Sequence, residues 1–233
     1  MVSSATVLYT PKCIHSIPVV HGIFLVDSFA DMNEEGVEYM TTLLEYLFLR
    51  YGLVCIAVVR GGAKVKQYKD MVAFAEASLV SLRPVGYLPR DPEFVVIISM
   101  GNDVYRMALQ ELFYDHSLAE WVSDTMNEVV QYAKGNLGQR VLVVYGGSSN
   151  MWRYEDFGGE LYDRYVDTIV KRLRGYGIYV IRGIRLGRPE LLDKIGHVSV
   201  VSFPEVIHEY CYWVYLVCGG EMRSRGLTRF AKL

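Results

Sequence analysis

The sequence has few of the residues that reveal function on their own. Only four of its 233 residues are cysteines, and seven are prolines. Cys13, Cys55, Cys211 and Cys218 form no Cys-x-x-Cys pair, so neither a zinc knuckle nor a thioredoxin-type motif is predicted. Cys55 lies in an apolar run, and Cys211 and Cys218 share one face of a predicted helix. We therefore interpret these three as core residues.

The chain also lacks a charge excess and a long apolar run. Its formal net charge is −2, which indicates neither a nucleic-acid partner nor an anionic membrane surface. Apolar runs such as YCYWVYLVC are too short for a transmembrane segment. The first twenty residues show no basic region followed by an apolar stretch, so no signal peptide is expected. These features together predict a cytoplasmic protein.

Apolar residues are abundant, at 52% of the chain, while charged residues make up 21%. This balance predicts a folded protein, and the lack of a linker or repeat predicts one domain over residues 1–233. Helical patterns separate short segments that are apolar on both faces, as in buried parallel strands. The prediction is an α/β three-layer sandwich with a five- or six-stranded, mainly parallel, flavodoxin-like sheet. Its strands are 22–28, 53–59, 93–100, 140–146 and 177–183, with a possible sixth at 197–203 and a closing helix at 209–217.

Small and polar residues follow the first four predicted strands. Ligands of open parallel sheets bind at the carboxyl ends of the strands, so these residues are expected to meet along one rim. Each group alone is typical of an ordinary loop, but their order along the chain is more informative. The groups are Asp27 and Ser28; Arg60, Gly61 and Gly62; Gly101, Asn102 and Asp103; and residues 146–150.

The order of these groups resembles the sequence blocks of the SGNH hydrolases, also called the GDSL esterase/lipase family. VDSF resembles the first block, Gly-Asp-Ser, except that Val26 stands in place of glycine. VVRGGAKVKQY resembles the glycine-bearing second block. SMGNDVY is similar to the third block, Gly-x-Asn-Asp, without its spacer. The resemblance extends over roughly residues 22–210.

The resemblance implies a serine esterase of the SGNH-hydrolase type. Ser28 would be the nucleophile, and the backbone N–H groups of Ser28 and Gly62 (or Gly61) would stabilise the oxyanion with the Asn102 amide. The substrate would be a small-molecule or polymer-borne acyl ester, and neither a metal nor another cofactor is expected. The supporting residues would be Asp27, Gly61, Gly101 and Asp103.

Two histidines fit the last family block, in which an aspartate precedes a histidine by three residues. His208 follows Glu205 by three residues, which is the family spacing with a longer acid. His197 follows Asp193 by four. We favour His208 as the base, oriented by Glu205, because it would follow the carboxyl end of a strand at 197–203.

Val26 and Glu205 depart from the family pattern and leave a second hypothesis open. In this alternative the chain is a catalytically inactive SGNH-fold binding or interaction module. Nucleotide binding is a weaker alternative, because RGGAK and YGGSSN match neither a P-loop nor a dinucleotide fingerprint. The sequence sets no oligomeric state.

Overall fold

A computed structural model describes seven stretches of the chain: residues 5–9, 20–27, 34–81, 92–110, 113–146, 158–183 and 203–218. These stretches form a single six-stranded sheet with helices on both faces. The predicted α/β sandwich with a mainly parallel sheet is therefore confirmed. Among the described residues, no helix is both long and apolar enough to cross a bilayer.

The sheet has the strand order β1-β3-β2-β4-β5-β6. The five strands from β2 to β6 are parallel to one another, and β1 pairs with β3 in the antiparallel direction. Without β1, the order is that of a flavodoxin-like sheet, in which the chain reverses its direction of travel beside the first parallel strand. The strands are β1 Thr6–Tyr9, β2 Gly22–Val26, β3 Cys55–Val59, β4 Phe94–Ser99, β5 Val141–Tyr145 and β6 Val180–Arg182.

Six α-helices and one 3₁₀ turn are described. Helices α1 and α6 cover one face of the sheet, whereas α2, α3, α4 and α5 cover the other. The 3₁₀ turn Val65–Gln67 leads directly into α2. The helices are α1 Glu34–Tyr51, α2 Tyr68–Ser81, α3 Asn102–Gln110, α4 His116–Asn136, α5 Gly158–Gly175 and α6 Phe203–Val217.

The apolar strands supply both halves of the core. In β2, Ile23 and Leu25 pack towards α2 to α5, whereas Phe24 and Val26 pack towards α1 and α6. Alternate side chains of a strand point to opposite faces, so a central strand buried on both faces must be apolar throughout. Four strands, β2 to β5, show this uninterrupted burial, as the sequence predicted. Cys55, Cys211 and Cys218 are buried, as expected for core residues.

Three elements differ from the sequence prediction. The four-residue strand β1 was not predicted. Helix α3 was not predicted either, because Gly-Asn-Asp reads as a loop rather than as the start of a helix. Helix α6 begins at Phe203, six residues before the predicted start at 209, and Pro204 in its first turn suits a helix beginning. Residues 197–202 of the possible sixth strand lie outside the described residues, and residue 203 is helical.

Two glycines with the same φ angle allow a matched test of packing. Gly146 follows β5 and Gly177 follows α5, and both have a φ angle of +74°. A Cβ atom at Gly146 would lie 2.6 Å from Val166 Cγ1, whereas one at Gly177 would meet nothing within 4 Å in the part of the chain that the structure describes.

We expect Gly177→Ala to cost about 1–2 kcal/mol of unfolding free energy, the usual cost of a left-handed alanine. Gly146→Ala should cost about 1–3 kcal/mol more, because the added methyl group overpacks the contact with Val166. Urea unfolding measures both, and in a double-mutant cycle Gly146→Ala should cost less in the Val166→Ala background than in the wild type, because the smaller side chain leaves room for the added methyl group. Equal losses in the two single variants would contradict this account.

Candidate functional site

The candidate site lies where the strand order of the parallel sheet reverses. Strands β2 and β4 are neighbours there, and their carboxyl ends are followed by Asp27 and by Met100 to Asp103. In open parallel sheets this reversal point opens a crevice between the loops that follow the two strands. The fold therefore places two of the three resembling sequence blocks at the usual ligand position.

Asp27 joins the ends of these two strands. Its side chain is fully buried, and its Oδ2 accepts hydrogen bonds from the Met100 backbone N–H at 2.7 Å and from Asn102 Nδ2 at 3.0 Å. A buried carboxylate is retained at low cost only when such donors surround it. Asp27 therefore fixes the backbone one residue before Ser28 against the start of α3.

Gly101 explains why β4 is followed by a small residue. Its φ angle is +74°, a left-handed conformation that strains any residue with a Cβ atom. A Cβ atom there would also lie 3.2 Å from the Tyr145 hydroxyl. After this turn, the Gly101 carbonyl accepts from the Val104 N–H at 3.0 Å and the Tyr105 N–H at 2.9 Å. The sharp turn thus starts α3 directly at Asn102.

Asn102 connects three segments that are distant in the sequence. Besides its bond to Asp27, its Nδ2 donates to the Ala63 carbonyl at 3.1 Å. The amide nitrogen of asparagine carries only two hydrogens, and these two acceptors use both. The first, second and third sequence blocks therefore meet at one amide group. The same contacts leave that group no additional hydrogen to donate to a ligand.

Asp103 adds a second link between α3 and the loop after β3. Its Oδ2 accepts the Val65 backbone N–H at 2.7 Å. Burial raises the pKa of the Asp103 carboxyl, and the Val65 N–H and the nearby Lys64 and Lys66 ammonium groups act in the opposite direction. Asp103 is therefore a positioning group for the 3₁₀ turn.

Gly62 is an exposed residue on the same rim. Its φ angle is +66°, and no atom of the described residues lies within 4 Å of the position that a Cβ would take. Within the described part of the chain, no group accepts a hydrogen bond from its backbone N–H. Gly62 thus offers a backbone donor that an incoming ligand can use. Gly61 precedes it and is half-buried.

Four fully buried tyrosines surround the ends of β2, β4 and β5, and none of them was predicted as a site residue. The Tyr68 hydroxyl donates to the Ile98 carbonyl and the Tyr162 hydroxyl to the Met100 carbonyl, both at 2.6 Å. Burial raises the pKa values of Tyr68, Tyr145 and Tyr210 well above normal, and the Asp27 carboxylate adds to this effect. No sequence pattern could have distinguished them, because tyrosines at helical and strand spacing read as ordinary core residues. The four are Tyr68, Tyr145, Tyr162 and Tyr210.

The predicted acid and histidine both lie on α6. The Phe24 and Tyr210 rings lie 5.9 Å apart, and the Cys218 carbonyl accepts from Arg140 beside the start of β5. Helix α6 therefore runs antiparallel to the strands, so that its first turns lie nearest the site edge. Glu205 and His208 belong to those turns, but the His208 side chain is exposed.

The described contacts bring together Asp27, Gly101, Asn102 and Asp103 with the loop that contains Gly61 and Gly62. Ser28, the alternative base His197 and the residues 147–150 lie outside the described residues. The assignments of nucleophile, base and acid therefore stay predictions.

The fold has counterparts among solved structures. LAE5, an alpha/beta hydrolase from the metagenome of Lake Arreo, Spain, matches with a TM-score of 0.55 and 17% sequence identity, over 85% of this chain and 94% of its own. Axe2, an acetylxylan esterase from Geobacillus stearothermophilus, matches with a TM-score of 0.54 and 17% identity, over 86% and 94% of the two chains. No family model and no curated protein matches the sequence. At such low identity, the likeness shows that this chain has the fold of these hydrolases.

Proposed function

We propose that the protein is a serine esterase that cleaves a carboxylic ester through an acyl-enzyme on Ser28. The main support is the Asn102 amide, which lies within hydrogen-bond distance of both Asp27 and Ala63. These residues directly precede Ser28 and directly follow Gly62, so the predicted nucleophile and oxyanion donors belong to neighbouring loops. The acetylxylan esterase with a similar fold is consistent with this reaction class.

In the proposed reaction, Ser28 Oγ attacks the acyl carbon while its proton passes to the base, for which we favour His208. The base then protonates the leaving alcohol, and water releases the acid by the same route. Glu205 orients the base. The backbone N–H of Gly62 donates to the oxyanion. Both hydrogens of the Asn102 amide are bound by Asp27 and Ala63, so it would donate to the oxyanion by exchanging one of these acceptors.

The occupied Asn102 amide also favours a second candidate function. If the two bonds persist when a ligand binds, Asn102 is a structural link rather than an oxyanion donor. The exposed His208 side chain agrees with this reading. The protein would then be a non-catalytic binding or interaction module that retains the crevice of the hydrolase fold.

Covalent labelling separates the two functions. We expect a fluorophosphonate to modify wild-type protein at one site, identified as Ser28 by peptide mass spectrometry. An activated serine reacts with such a reagent, whereas an ordinary hydroxyl does not. Ser28→Ala is the matched control and should take up no label while keeping its circular-dichroism spectrum. Unlabelled Ser28 in folded wild-type protein would reject the esterase and support the binding module.

A further inference from the structure

A rigid basic loop follows β3 beside the candidate site. Its first residue, Arg60, donates its backbone N–H to the Val26 carbonyl at 2.9 Å, next to Asp27. Further along, the Ala63 carbonyl accepts from Asn102 at 3.1 Å, and the Val65 N–H donates to Asp103 at 2.7 Å. The loop is thus anchored to the residues that precede Ser28 and to the start of α3.

These anchors fix the backbone of Lys64 and Lys66 beside the site. Lys64 lies between the two hydrogen-bonded residues Ala63 and Val65, whose side chains are buried. Lys64 has an extended backbone, with φ −91° and ψ 159°, and its N–H is bound by Gln67 Oε1 at 2.8 Å. Because Ala63 and Val65 point inwards, Lys64 and Lys66 are exposed.

The two lysines differ from the other cations of this region. Arg60 pairs with Asp70 at 3.6 Å, and Lys69 pairs with Glu128 at 2.7 Å. Within the described part of the chain, neither Lys64 nor Lys66 forms an ion pair with a carboxylate. The Lys66 ammonium instead lies 5.2 Å from the centre of the Trp121 ring, a contact that leaves its charge intact.

Unpaired cations on a rigid loop create a positive potential at the mouth of a crevice. A substrate with a negative group near its ester is attracted there and retained, and a neutral substrate of the same shape is not. The nearby carboxylates partly offset this potential, and Asp103 interacts electrostatically with both lysines. The ammonium groups still face an incoming ligand first, because both lysines are exposed, whereas Asp27 is buried, Asp103 is half-buried, and both accept backbone N–H groups.

Resting on the esterase function proposed above, we infer that the natural substrate is an anionic ester, with a carboxylate or phosphate held by Lys64 and Lys66. This assigns a substrate class to the site. The two lysines are specificity residues and take no part in the bond-breaking step.

A matched pair of substrates tests the assignment. The 4-nitrophenyl monoester of succinic acid and 4-nitrophenyl butyrate both have a four-carbon acyl chain. The chain ends in a carboxylate in the succinyl ester and in a methyl group in the butyryl ester. For each pair of substrates, the measured quantity is the ratio of kcat/KM for the anionic ester to that for the neutral ester. The spontaneous rate is subtracted, since the succinyl carboxylate attacks its own ester. A second pair, 4-acetoxybenzoate and phenyl acetate, places the charge on the alcohol side.

We expect a wild-type ratio above one in at least one pair, decreasing as salt is added. Lys64→Gln and Lys66→Gln should each lower that ratio by about three- to ten-fold, and Lys64→Arg should retain it. Lys69→Gln is the matched control, because Lys69 is bound to Glu128, and it should leave the ratio unchanged.

The outcomes separate this inference from the esterase proposal. Hydrolysis of the butyryl ester with Ser28 labelled, but with a ratio that neither lysine variant changes, overturns the anionic substrate and leaves the esterase standing. A ratio lowered equally by Lys69→Gln also overturns it, because the effect would then arise from general surface charge. Absence of hydrolysis and of Ser28 labelling overturns both.

Discussion

Replacing Ser28 with alanine is expected to lower kcat for 4-nitrophenyl acetate by about 10⁴-fold or more, the usual loss when a nucleophile of this kind is removed. The reason is that the alanine side chain has no oxygen with which to form the acyl-enzyme. KM should change much less, because replacing the serine hydroxyl with hydrogen leaves most of the substrate-binding surface unchanged. The assay is steady-state release of 4-nitrophenolate, with the thermal unfolding midpoint as a control for folding.

The same assay decides which histidine is the base. His208→Ala should produce a loss close to that of Ser28→Ala, since members of a triad act as a unit and their losses do not add. His197→Ala should retain most of the activity. The opposite result would identify His197 as the base and assign the exposed His208 to the surface of α6. A Ser28→Ala variant as active as wild type would contradict the acyl-enzyme itself.

The largest expected effect on stability is that of Asp27→Ala. It leaves the buried Met100 N–H and one Asn102 amide hydrogen without an acceptor. Each unsatisfied buried donor costs about 1–3 kcal/mol, so we expect a total loss of about 2–5 kcal/mol of unfolding free energy. For a chain of this size, this corresponds to a decrease of roughly 5–15 °C in Tm. Urea and thermal unfolding measure the two quantities.

Asp27→Asn is the matched control for this prediction. Both donors are bound by one oxygen, Oδ2, so an asparagine whose carbonyl oxygen takes that position keeps both bonds. In these two bonds it loses only the charge assistance, and we expect it to be clearly more stable than Asp27→Ala. If the two variants are equally unstable, the negative charge of Asp27 is what the site requires, and the acceptor count is not the cause.

The fold could be predicted from the sequence wherever burial requires an uninterrupted apolar run. Strands β2, β3, β4 and β5 are of this kind, because both of their faces are covered. Strand β1 is short and lies at an edge of the described sheet, where four described residues pair with β3. Helix α3 was not predicted, because its start depends on the left-handed conformation of Gly101. A glycine permits this conformation but does not require it.

The site could be predicted only to the level of neighbouring loops. Asp27 and Asn102 follow adjacent strands of the parallel sheet, so their proximity follows from strand order alone. That Asn102 uses both of its hydrogens on Asp27 and Ala63 depends on side-chain torsion angles and on the course of the loop after β3. Lys64 and Lys66 were interpreted as part of the second block. Only the side chains placed around them show that neither lysine forms an ion pair with a described carboxylate.

The link made by Asn102 has a consequence for how the protein folds. Its bonds join residues that are 75 and 39 positions apart in the chain, so none of them forms from local structure. Contacts at such separations require the intervening chain to be ordered first, and they are slow to form. During refolding, helical circular dichroism should therefore return before the crevice is complete. The recovery of fluorophosphonate labelling during refolding would then report when the loops after β2, β3 and β4 come together.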